Sequence, residues 1–308
     1  MKLMKKIPGG TLLIPMIISA LINTIYPTLF HIGGVTEAFF AGSGLNFILG
    51  AAIFISGCLL KLSTIKHVFQ RYFFLLVFRT ALCAGLGMIF FKVFGLEGFL
   101  GISLVAFIAT LTSINPSLFL AIMEDFGDEV DVSAFGLVSL FATPVVALFI
   151  FGLTQPTEID LMPILSMVVP LVLGIIIGNV DHEFGKFLVT GMPFVIFMLG
   201  WCVGAKINLL DAFKAGFSGV VMTCLYYVLT ALPLLFVEKK IMKRSGIATF
   251  GISTIAGLSA SVPLILAETN PEIAIYGTRA TAIVTMGVVI SAFASPFLAK
   301  MQYEKAKN

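Results

Sequence analysis

The chain carries little charge for its length. Only 11% of its 308 residues are Asp, Glu, Lys or Arg, and its mean hydropathy is +1.08, whereas ordinary soluble domains are about 25% charged. Because 59% of the residues are hydrophobic, a water-soluble fold of this size is excluded. The net charge of +3 is small and scattered along the chain, which argues against a nucleic-acid-binding surface.

Catalytic and metal-binding motifs are missing as well. The sequence has no Gly-x-Ser-x-Gly nucleophile turn, no His-Glu-x-x-His zinc motif and no Gly-x-x-x-x-Gly-Lys-Ser/Thr phosphate loop. These absences argue against a membrane-embedded enzyme and against an ATP-driven pump. The four cysteines lie in apolar stretches without paired spacing, so neither a disulfide framework nor a metal site is indicated, and no cofactor is expected.

Long apolar runs make up most of the chain. Ten of them approach the roughly 20 residues that a helix needs to cross a bilayer. The predicted spans are 10–30, 44–60, 72–92, 98–122, 133–153, 161–180, 188–205, 217–237, 247–267 and 279–299. The sequence therefore predicts an all-α polytopic membrane protein with ten transmembrane helices in a lipid bilayer.

The two halves of the chain resemble each other. Residues 139–144, Ser-Leu-Phe-Ala-Thr-Pro, return at 291–296 as Ser-Ala-Phe-Ala-Ser-Pro, which is 291 − 139 = 152 positions later. Each half holds five predicted spans, and an odd number of crossings turns the second copy upside down. We therefore expect two inverted five-helix repeats, residues 1–153 and 154–308, an organisation typical of secondary transporters.

The distribution of Lys and Arg between spans predicts the orientation. If the amino terminus is cytoplasmic, fourteen basic residues lie in inner segments and only four lie in outer ones. The outer four are Lys92, Lys206, Lys214 and Arg279. The positive-inside rule therefore places both termini in the cytoplasm.

The fourth and ninth spans each carry a proline among polar side chains. These residues are Thr112, Ser113, Asn115 and Pro116 in the fourth span, and Ser259, Ser261 and Pro263 in the ninth. Since proline removes a helical hydrogen bond and clashes with the preceding turn, we expect both helices to break at these prolines. Freed backbone groups must face a cavity, an ion or another helix, so the breaks are the candidate substrate site. The alternative is a pair of proline kinks that serve packing alone, with the hydroxyls bonded to their own helices.

Arg79 is a basic residue inside a predicted span. Such a residue costs about 2.5–3.5 kcal/mol at a helix centre, so its side chain should face protein or water and have a partner. The planar guanidinium suits bidentate binding of a substrate carboxylate. The alternatives are a structural ion pair with Glu124 or Asp125, or a side chain that extends to the cytoplasmic surface.

Four segments resemble the 2-keto-3-deoxygluconate permease family. They are 6–11 (Lys-Ile-Pro-Gly-Gly-Thr), 42–47 (Gly-Ser-Gly-Leu-Asn-Phe), 115–118 (Asn-Pro-Ser-Leu) and the acidic 124–128 (Glu-Asp-Phe-Gly-Asp). The resemblance extends over the whole chain. It implies import of a small anionic sugar acid, 2-keto-3-deoxygluconate, across the bacterial inner membrane, with protons as the coupling ion.

That family is more distantly similar to the bile acid, arsenite and riboflavin transporter superfamily. The similarity implies a panel domain of spans 1, 2, 6 and 7, a core domain of spans 3–5 and 8–10, and broken fourth and ninth helices that cross. Sodium-coupled members carry an acid at the ninth-span crossing, where this chain has Ser259, Ala260 and Ser261. The departure argues against sodium, and the resemblance itself implies protons. A sodium-coupled organic-anion symporter and a passive channel remain the alternatives, and the sequence is silent on the oligomeric state.

A proton carrier in this chain should be a carboxylate, because the three histidines lie near span ends. Glu124, Asp125 and Glu268 closely follow the predicted breaks and are the candidates. The alternative, a solvated turn with helix-capping acids, is left open for Glu124 and Glu268 and is favoured for the acids that follow, Asp128, Glu129 and Asp131. Asn46, in the second span, is a further candidate for lining the substrate path, although a lone amide in a span is often an interhelical hydrogen bond.

Overall fold

A computed structural model describes residues 10–60, 65–142, 144–154, 162–263, 266 and 271–307 of the chain. Within these ranges every regular element is a helix, apart from an isolated β-bridge between Phe99 and Ile102. The prediction of an all-α protein is therefore confirmed for the described part of the chain.

The helices of the first half are short to medium in length, except for one long helix. They are α1 Gly10–Ile25, α2 Gly34–Phe40, α3 Leu45–Leu59, α4 Ile65–Phe94, α5 Leu104–Thr112, α6 Pro116–Phe126, α7 Glu129–Ser133, α8 Phe135–Phe141 and α9 Pro144–Gly152. Those of the second half are α10 Met162–Val180, α11 His182–Val189, α12 Met192–Gly204, α13 Leu209–Lys214, α14 Gly216–Ile241, α15 Ile247–Ile252, a 3₁₀ helix Gly257–Ser261 and α16 Pro271–Lys307.

Each predicted span overlaps at least one of these helices. Among the described residues, five helical segments are long and apolar enough to cross a membrane. Two bent pairs, α2 with α3 and α11 with α12, raise the number to seven. The chain is thus a multi-pass membrane protein, while the count of ten spans and the inverted repeat stay predictions.

The segment formed by α5 and α6 is the most deeply buried of these candidate spans. In its most apolar window 94% of the residues are buried, against 33% for α4 and 39% for α14. This burial is by other parts of the protein, with no contribution from a membrane. The interruption between α5 and α6 therefore lies inside the protein and not against lipid.

Local capping residues define both halves of this segment. Ser103 Oγ accepts a hydrogen bond from the N–H of Ala106 at 3.3 Å, where α5 begins. Asn115 Oδ1 accepts one from the N–H of Leu118 at 3.1 Å, and Pro116 is the first residue of α6. Proline fits this position because the first N–H of a helix has no intrahelical acceptor. The fourth predicted span is therefore interrupted directly ahead of its proline.

The ninth predicted span is also interrupted ahead of its proline. Helix α15 ends at Ile252, residues 253–256 are non-helical, and the 3₁₀ helix follows. The α-helical conformation resumes only at 262–263, so Pro263 lies in the first helical turn after the non-α segment, and the break expected at this proline stays a prediction. A tertiary contact is present at this interruption: Ser295 Oγ of α16 donates to the carbonyl of Ser253 at 2.6 Å, in place of a helical N–H.

Two helix pairs pack closely along each other, α1 with α12 and α3 with α10. In the first pair, Gly200 and Gly204 lie so close to the carbonyls of Leu12 and Met16 that a β-carbon at either glycine would collide. Small residues four positions apart allow membrane helices this close approach. These glycines therefore fix how α12 packs against α1.

Candidate functional site

The two interruptions contact each other through hydrogen bonds. Ser113 Oγ donates to Ser259 Oγ at 2.7 Å and accepts from the N–H of Ala256, also at 2.7 Å. The N–H of Asn115 donates to Thr254 Oγ1 at 2.9 Å. Each interruption thus supplies partners for backbone groups that the other leaves free, as a site inside a membrane protein requires.

Arg79 caps the carboxyl-terminal end of α5. Its Nη1 donates to the carbonyl of Thr112 at 3.0 Å, and its Nη2 donates to those of Leu111 at 2.8 Å and Ser113 at 2.6 Å. The last carbonyls of a helix lack intrahelical partners and carry partial negative charge, so a buried cation stabilises them. The expected partner of Arg79 is therefore present, but it is the backbone of α5 and the interruption that follows it.

Tyr226 on α14 contacts both interruptions. Its Oη lies 3.2 Å from the carbonyl oxygen of Ser113 and 3.3 Å from that of Thr254, and it accepts a 3.4 Å hydrogen bond from Arg79. The side chain is fully buried. A hydroxyl has one proton, so Tyr226 donates to one of the two carbonyls at a time. Nothing in the sequence distinguishes this tyrosine from its apolar neighbours.

The other candidate residues at the interruptions differ in how fully their polar atoms are engaged. Thr112 Oγ1 donates to the carbonyl of Ile108 in its own helix at 2.8 Å. This is the bond expected if the proline kinks serve packing alone. Asn115 Oδ1 caps α6, whereas its Nδ2 donates to none of the residues that the structure describes. The side chain of Ser261 lies outside the described part of the chain.

A cavity of about 610 Å³ lies beside the 3₁₀ helix, between α16 and the segment that joins α12 to α13. Its lining residues are Lys206, Asn208, Lys214, Ala260, Ile275, Thr278, Arg279, Thr281, Ala282 and Thr285. Thr281 Oγ1 donates to the carbonyl of Ala260 at 3.1 Å. Because Ala260 directly follows Ser259, the cavity extends to within one residue of the bond between the two interruptions.

Comparison with known proteins identifies the family of this chain. The family model for 2-keto-3-deoxygluconate permeases matches residues 1–308. The chain belongs to this permease family. Family membership confirms the resemblance seen in the sequence and makes the chain a transporter and not an enzyme.

Relatives of this permease cover it almost completely. 2-keto-3-deoxygluconate permease 1 of Salmonella typhimurium is 29% identical over 297 residues, which are 96% of this chain and 93% of the relative. The 2-keto-3-deoxygluconate permease of Bacillus subtilis is 28% identical over 310 residues, with 99% and 93% covered. That of Escherichia coli O157:H7 is 26% identical over 312 residues, with 99% and 95% covered.

The cavity of the permease contains residues that the sequence did not mark as a site. Lys206, Lys214 and Arg279 are three of the four predicted outer basic residues. These three residues lie around one cavity because of the way α13 and α16 pack, and no local sequence pattern predicts that packing. The only signal available in the sequence was that so few outer bases exist.

Several predicted site residues lie away from the paired interruptions. Asn46 is exposed near the start of α3, and Glu124 and Asp125 are exposed near the end of α6. Since α6 rises about 1.5 Å per residue, Glu124 lies about 12 Å along the helix from Pro116. Glu268 lies outside the described residues. The structure therefore groups Ser113, Asn115, Ser259 and Arg79 without Asn46, Glu124 and Asp125.

A buried acid that no sequence motif marks lies at the end of α14. Glu238 is 0% exposed, and its two carboxylate oxygens accept hydrogen bonds from the N–H groups of Gly246 at 3.0 Å and Thr249 at 2.7 Å. It ties α14 to the start of α15. Because Glu238 follows the predicted eighth span directly, the sequence places it in a loop.

An ionic cluster fixes the turn after α6. Asp128 caps α7 and accepts a hydrogen bond from Arg71 at 2.7 Å, and Asp131 lies 3.1 Å from the same Arg71 nitrogen. Partial burial opposes ionisation of Asp128, but the hydrogen bond and charge of Arg71 outweigh it and hold the pKa of Asp128 below its usual range. The acidic turn predicted from sequence is thus paired with a base of α4.

Proposed function

We propose that this permease imports 2-keto-3-deoxygluconate by proton symport across the bacterial inner membrane, with both termini in the cytoplasm. The names of its relatives support the substrate. The observation that carries a transport site is the meeting of two interrupted helical segments, joined by the bond between Ser113 and Ser259 inside the protein. Interrupted helices at such a position are typical of secondary transporters.

The sugar acid is proposed to bind beside these interruptions. Ser113 and Ser259 now bond each other, and a substrate hydroxyl would replace one of the two partners. Asn115 Nδ2, which donates to none of the described residues, supplies a further donor. Thr112, Ser261 and Asn46 are also proposed to line the substrate path; Thr112 would take part as an acceptor, because its hydroxyl already donates to its own helix.

The proposed architecture is two inverted repeats, residues 1–153 and 154–308, which build a panel domain and a core domain. If the two repeats are exchanged, span 1 takes the place of span 6, and span 7 takes the place of span 2. It therefore maps the close pair of α1 and α12 on the close pair of α10 and α3. This relation of the two pairs supports the repeat.

Arg79 favours protons over sodium as the coupling ion. A sodium ion at the first interruption would need the freed carbonyls as ligands. The guanidinium of Arg79 already binds those of Leu111, Thr112 and Ser113, and its permanent charge repels a second cation. The observation that favours sodium is the hydroxyl of Ser253, which is buried at the second interruption and has no partner among the described residues.

Transport into proteoliposomes tests the proposal directly. We expect labelled 2-keto-3-deoxygluconate to accumulate above its external concentration when a pH gradient alone is imposed, and not when a sodium gradient alone is imposed. Accumulation with sodium alone would establish the alternative symporter. Equilibration without accumulation under either gradient would indicate a passive channel.

The proposed proton carriers are Glu124, Asp125 and Glu268. A carrier replaced by its amide should still exchange internal for external substrate, since exchange needs no net proton movement, but it should lose accumulation in a pH gradient. Glu124→Gln, Asp125→Asn and Glu268→Gln are the variants. Full accumulation in all three would place the carrier elsewhere.

A further inference from the structure

We propose that Arg279 binds the carboxylate of the transported sugar acid, at the cavity between α16 and the segment that joins α12 to α13. The proposal rests on the proposed function in one respect, namely that the substrate is a small carboxylate with several hydroxyl groups. Lys206, a second base of the cavity, adds to the attraction for the anion.

Neighbouring residues hold the guanidinium of Arg279 in place. Its Nη2 donates to Ser218 Oγ at 3.2 Å, and Ser218 Oγ donates to the carbonyl of Leu100 at 2.7 Å. Gly101 has a φ of +73°, and a β-carbon there would collide with the guanidinium. Among the described residues Ser218 Oγ is the only acceptor of the Arg279 guanidinium. The other N–H groups of the guanidinium are therefore available to a carboxylate.

Arg79 and Arg279 differ in what surrounds them. Arg79 is 2% exposed, and both of its Nη atoms donate to backbone carbonyls, whereas its Nε has no partner among the described residues. A carboxylate that approached it would meet those carbonyl oxygens, which repel an anion. Arg279 is exposed to the cavity and faces hydroxyl groups. Recognition of the carboxylate therefore belongs to Arg279.

The cavity favours a small anion. Lys206, Lys214 and Arg279 line it, and its lining includes no acidic side chain of the described residues. A concave site with one sign of charge concentrates ions of the opposite sign. Its volume of about 610 Å³ falls within the roughly 300–1,000 Å³ typical of small-molecule sites.

A row of threonines leads from Arg279 to the paired interruptions. Thr278, Thr281 and Thr285 are three and four positions apart on α16, so they share one face and extend over about 10 Å. The carbonyl of Ala260, which accepts from Thr281 Oγ1, belongs to the residue after Ser259. With its carboxylate at Arg279, a six-carbon acid would align its hydroxyls with this row.

The test compares Arg279→Gln with Lys92→Gln in purified, reconstituted protein. Lys92 is exposed near the end of α4 and does not line the cavity, so this control removes the same charge elsewhere. We expect the half-saturating concentration of 2-keto-3-deoxygluconate to rise about ten- to 100-fold in Arg279→Gln, as for a lost charge-assisted hydrogen bond, and less than about twofold in the control. Arg279→Lys should recover part of the affinity, because it keeps the charge without the fork.

The methyl ester of the sugar acid separates anion binding from loss of structure. It carries no charge, so it should compete equally well in wild-type protein and in Arg279→Gln. Equal half-saturating concentrations of the acid in Arg279→Gln and Lys92→Gln would overturn the proposal. An affinity loss for the ester as large as that for the acid would also overturn it, since that would indicate a collapsed cavity.

Failure of the proposed function would be distinguishable from failure of this site. If wild-type protein does not transport 2-keto-3-deoxygluconate, other six-carbon sugar acids, such as gluconate and glucuronate, are tested for thermal stabilisation of the purified protein. Loss of that stabilisation in Arg279→Gln alone would support the site and reject only the substrate. Unchanged stabilisation in Arg279→Gln would reject the site.

Discussion

Ser113 and Ser259, which are 146 positions apart, share a hydrogen bond of 2.7 Å between their side-chain oxygens. The same Ser113 oxygen accepts from the N–H of Ala256. One hydroxyl thus connects the interruption that follows α5 to two points in the segment that follows α15. Relative movement of the two segments has to break both bonds, so Ser113, a proposed substrate ligand, also holds the two segments together.

Replacement of the two serines should destabilise the protein unequally. Ser113→Ala leaves the buried N–H of Ala256 without an acceptor, at a cost of about 1–3 kcal/mol. Ser259→Ala removes only one acceptor of Ser113, and the bond from Ala256 remains. We therefore expect a larger fall in melting temperature for Ser113→Ala than for Ser259→Ala, measured in the same detergent. The reverse order would contradict the hydrogen-bond directions described above.

Arg79→Lys should affect folding more than binding. A lysine ammonium cannot reach the carbonyls of Leu111, Thr112 and Ser113 in the planar geometry of a guanidinium. Loss of these charge-assisted bonds should cost about 3 kcal/mol, so the yield and melting temperature should fall. The folded fraction should bind the sugar acid with wild-type affinity. Weaker binding at an unchanged melting temperature would instead show that Arg79 grips the carboxylate.

The sequence located the first interruption to within a few residues, whereas it located the second only within the ninth span. Asn115 and Pro116 are adjacent, and the cap and the proline act on the helix that they begin, so a local pattern locates that break. The second non-helical segment begins at 253, ten positions before Pro263, and the carbonyl of its first residue accepts a hydrogen bond from Ser295, 42 positions away. Proline shows where a helix tolerates interruption, but tertiary hydrogen bonds decide where it occurs.

The same distinction applies to the charged residues. Insertion cost alone predicts that Arg79 needs a partner, but the partner is a set of backbone carbonyls about 33 positions further along the chain. Glu238 directly follows the predicted eighth span and Arg279 begins the predicted tenth span. Charged residues are expected at such span ends. Their burial or their position at a cavity follows only from the packing of α14, α15 and α16.

Asn115 should contribute to binding through its Nδ2 and to stability through its Oδ1. Asn115→Ser keeps a side-chain oxygen for capping α6 but removes the amide donor. We expect Asn115→Ser and Asn115→Ala both to weaken substrate binding about five- to 150-fold. Only the alanine variant should also lose about 1 kcal/mol of stability. Wild-type affinity in both variants, measured by competition, would exclude Asn115 from the substrate site.

The pairing of Asp128 with Arg71 predicts how stability depends on pH. Arg71 lowers the pKa of Asp128 in the folded protein below the ordinary value of 3.8. Such a carboxyl stabilises the fold above its unfolded pKa and loses this contribution as the pH falls through its folded pKa. We expect Asp128→Asn to melt below wild-type protein at pH 7 and to converge with it below about pH 3.

Asp181 caps α11 without an arginine partner among the described residues, so Asp181→Asn is the matched control. Because asparagine also caps helices, the control should show a smaller difference at pH 7. A constant difference for Asp128→Asn across this range would show that Arg71 does not hold the charge of Asp128 in the folded protein.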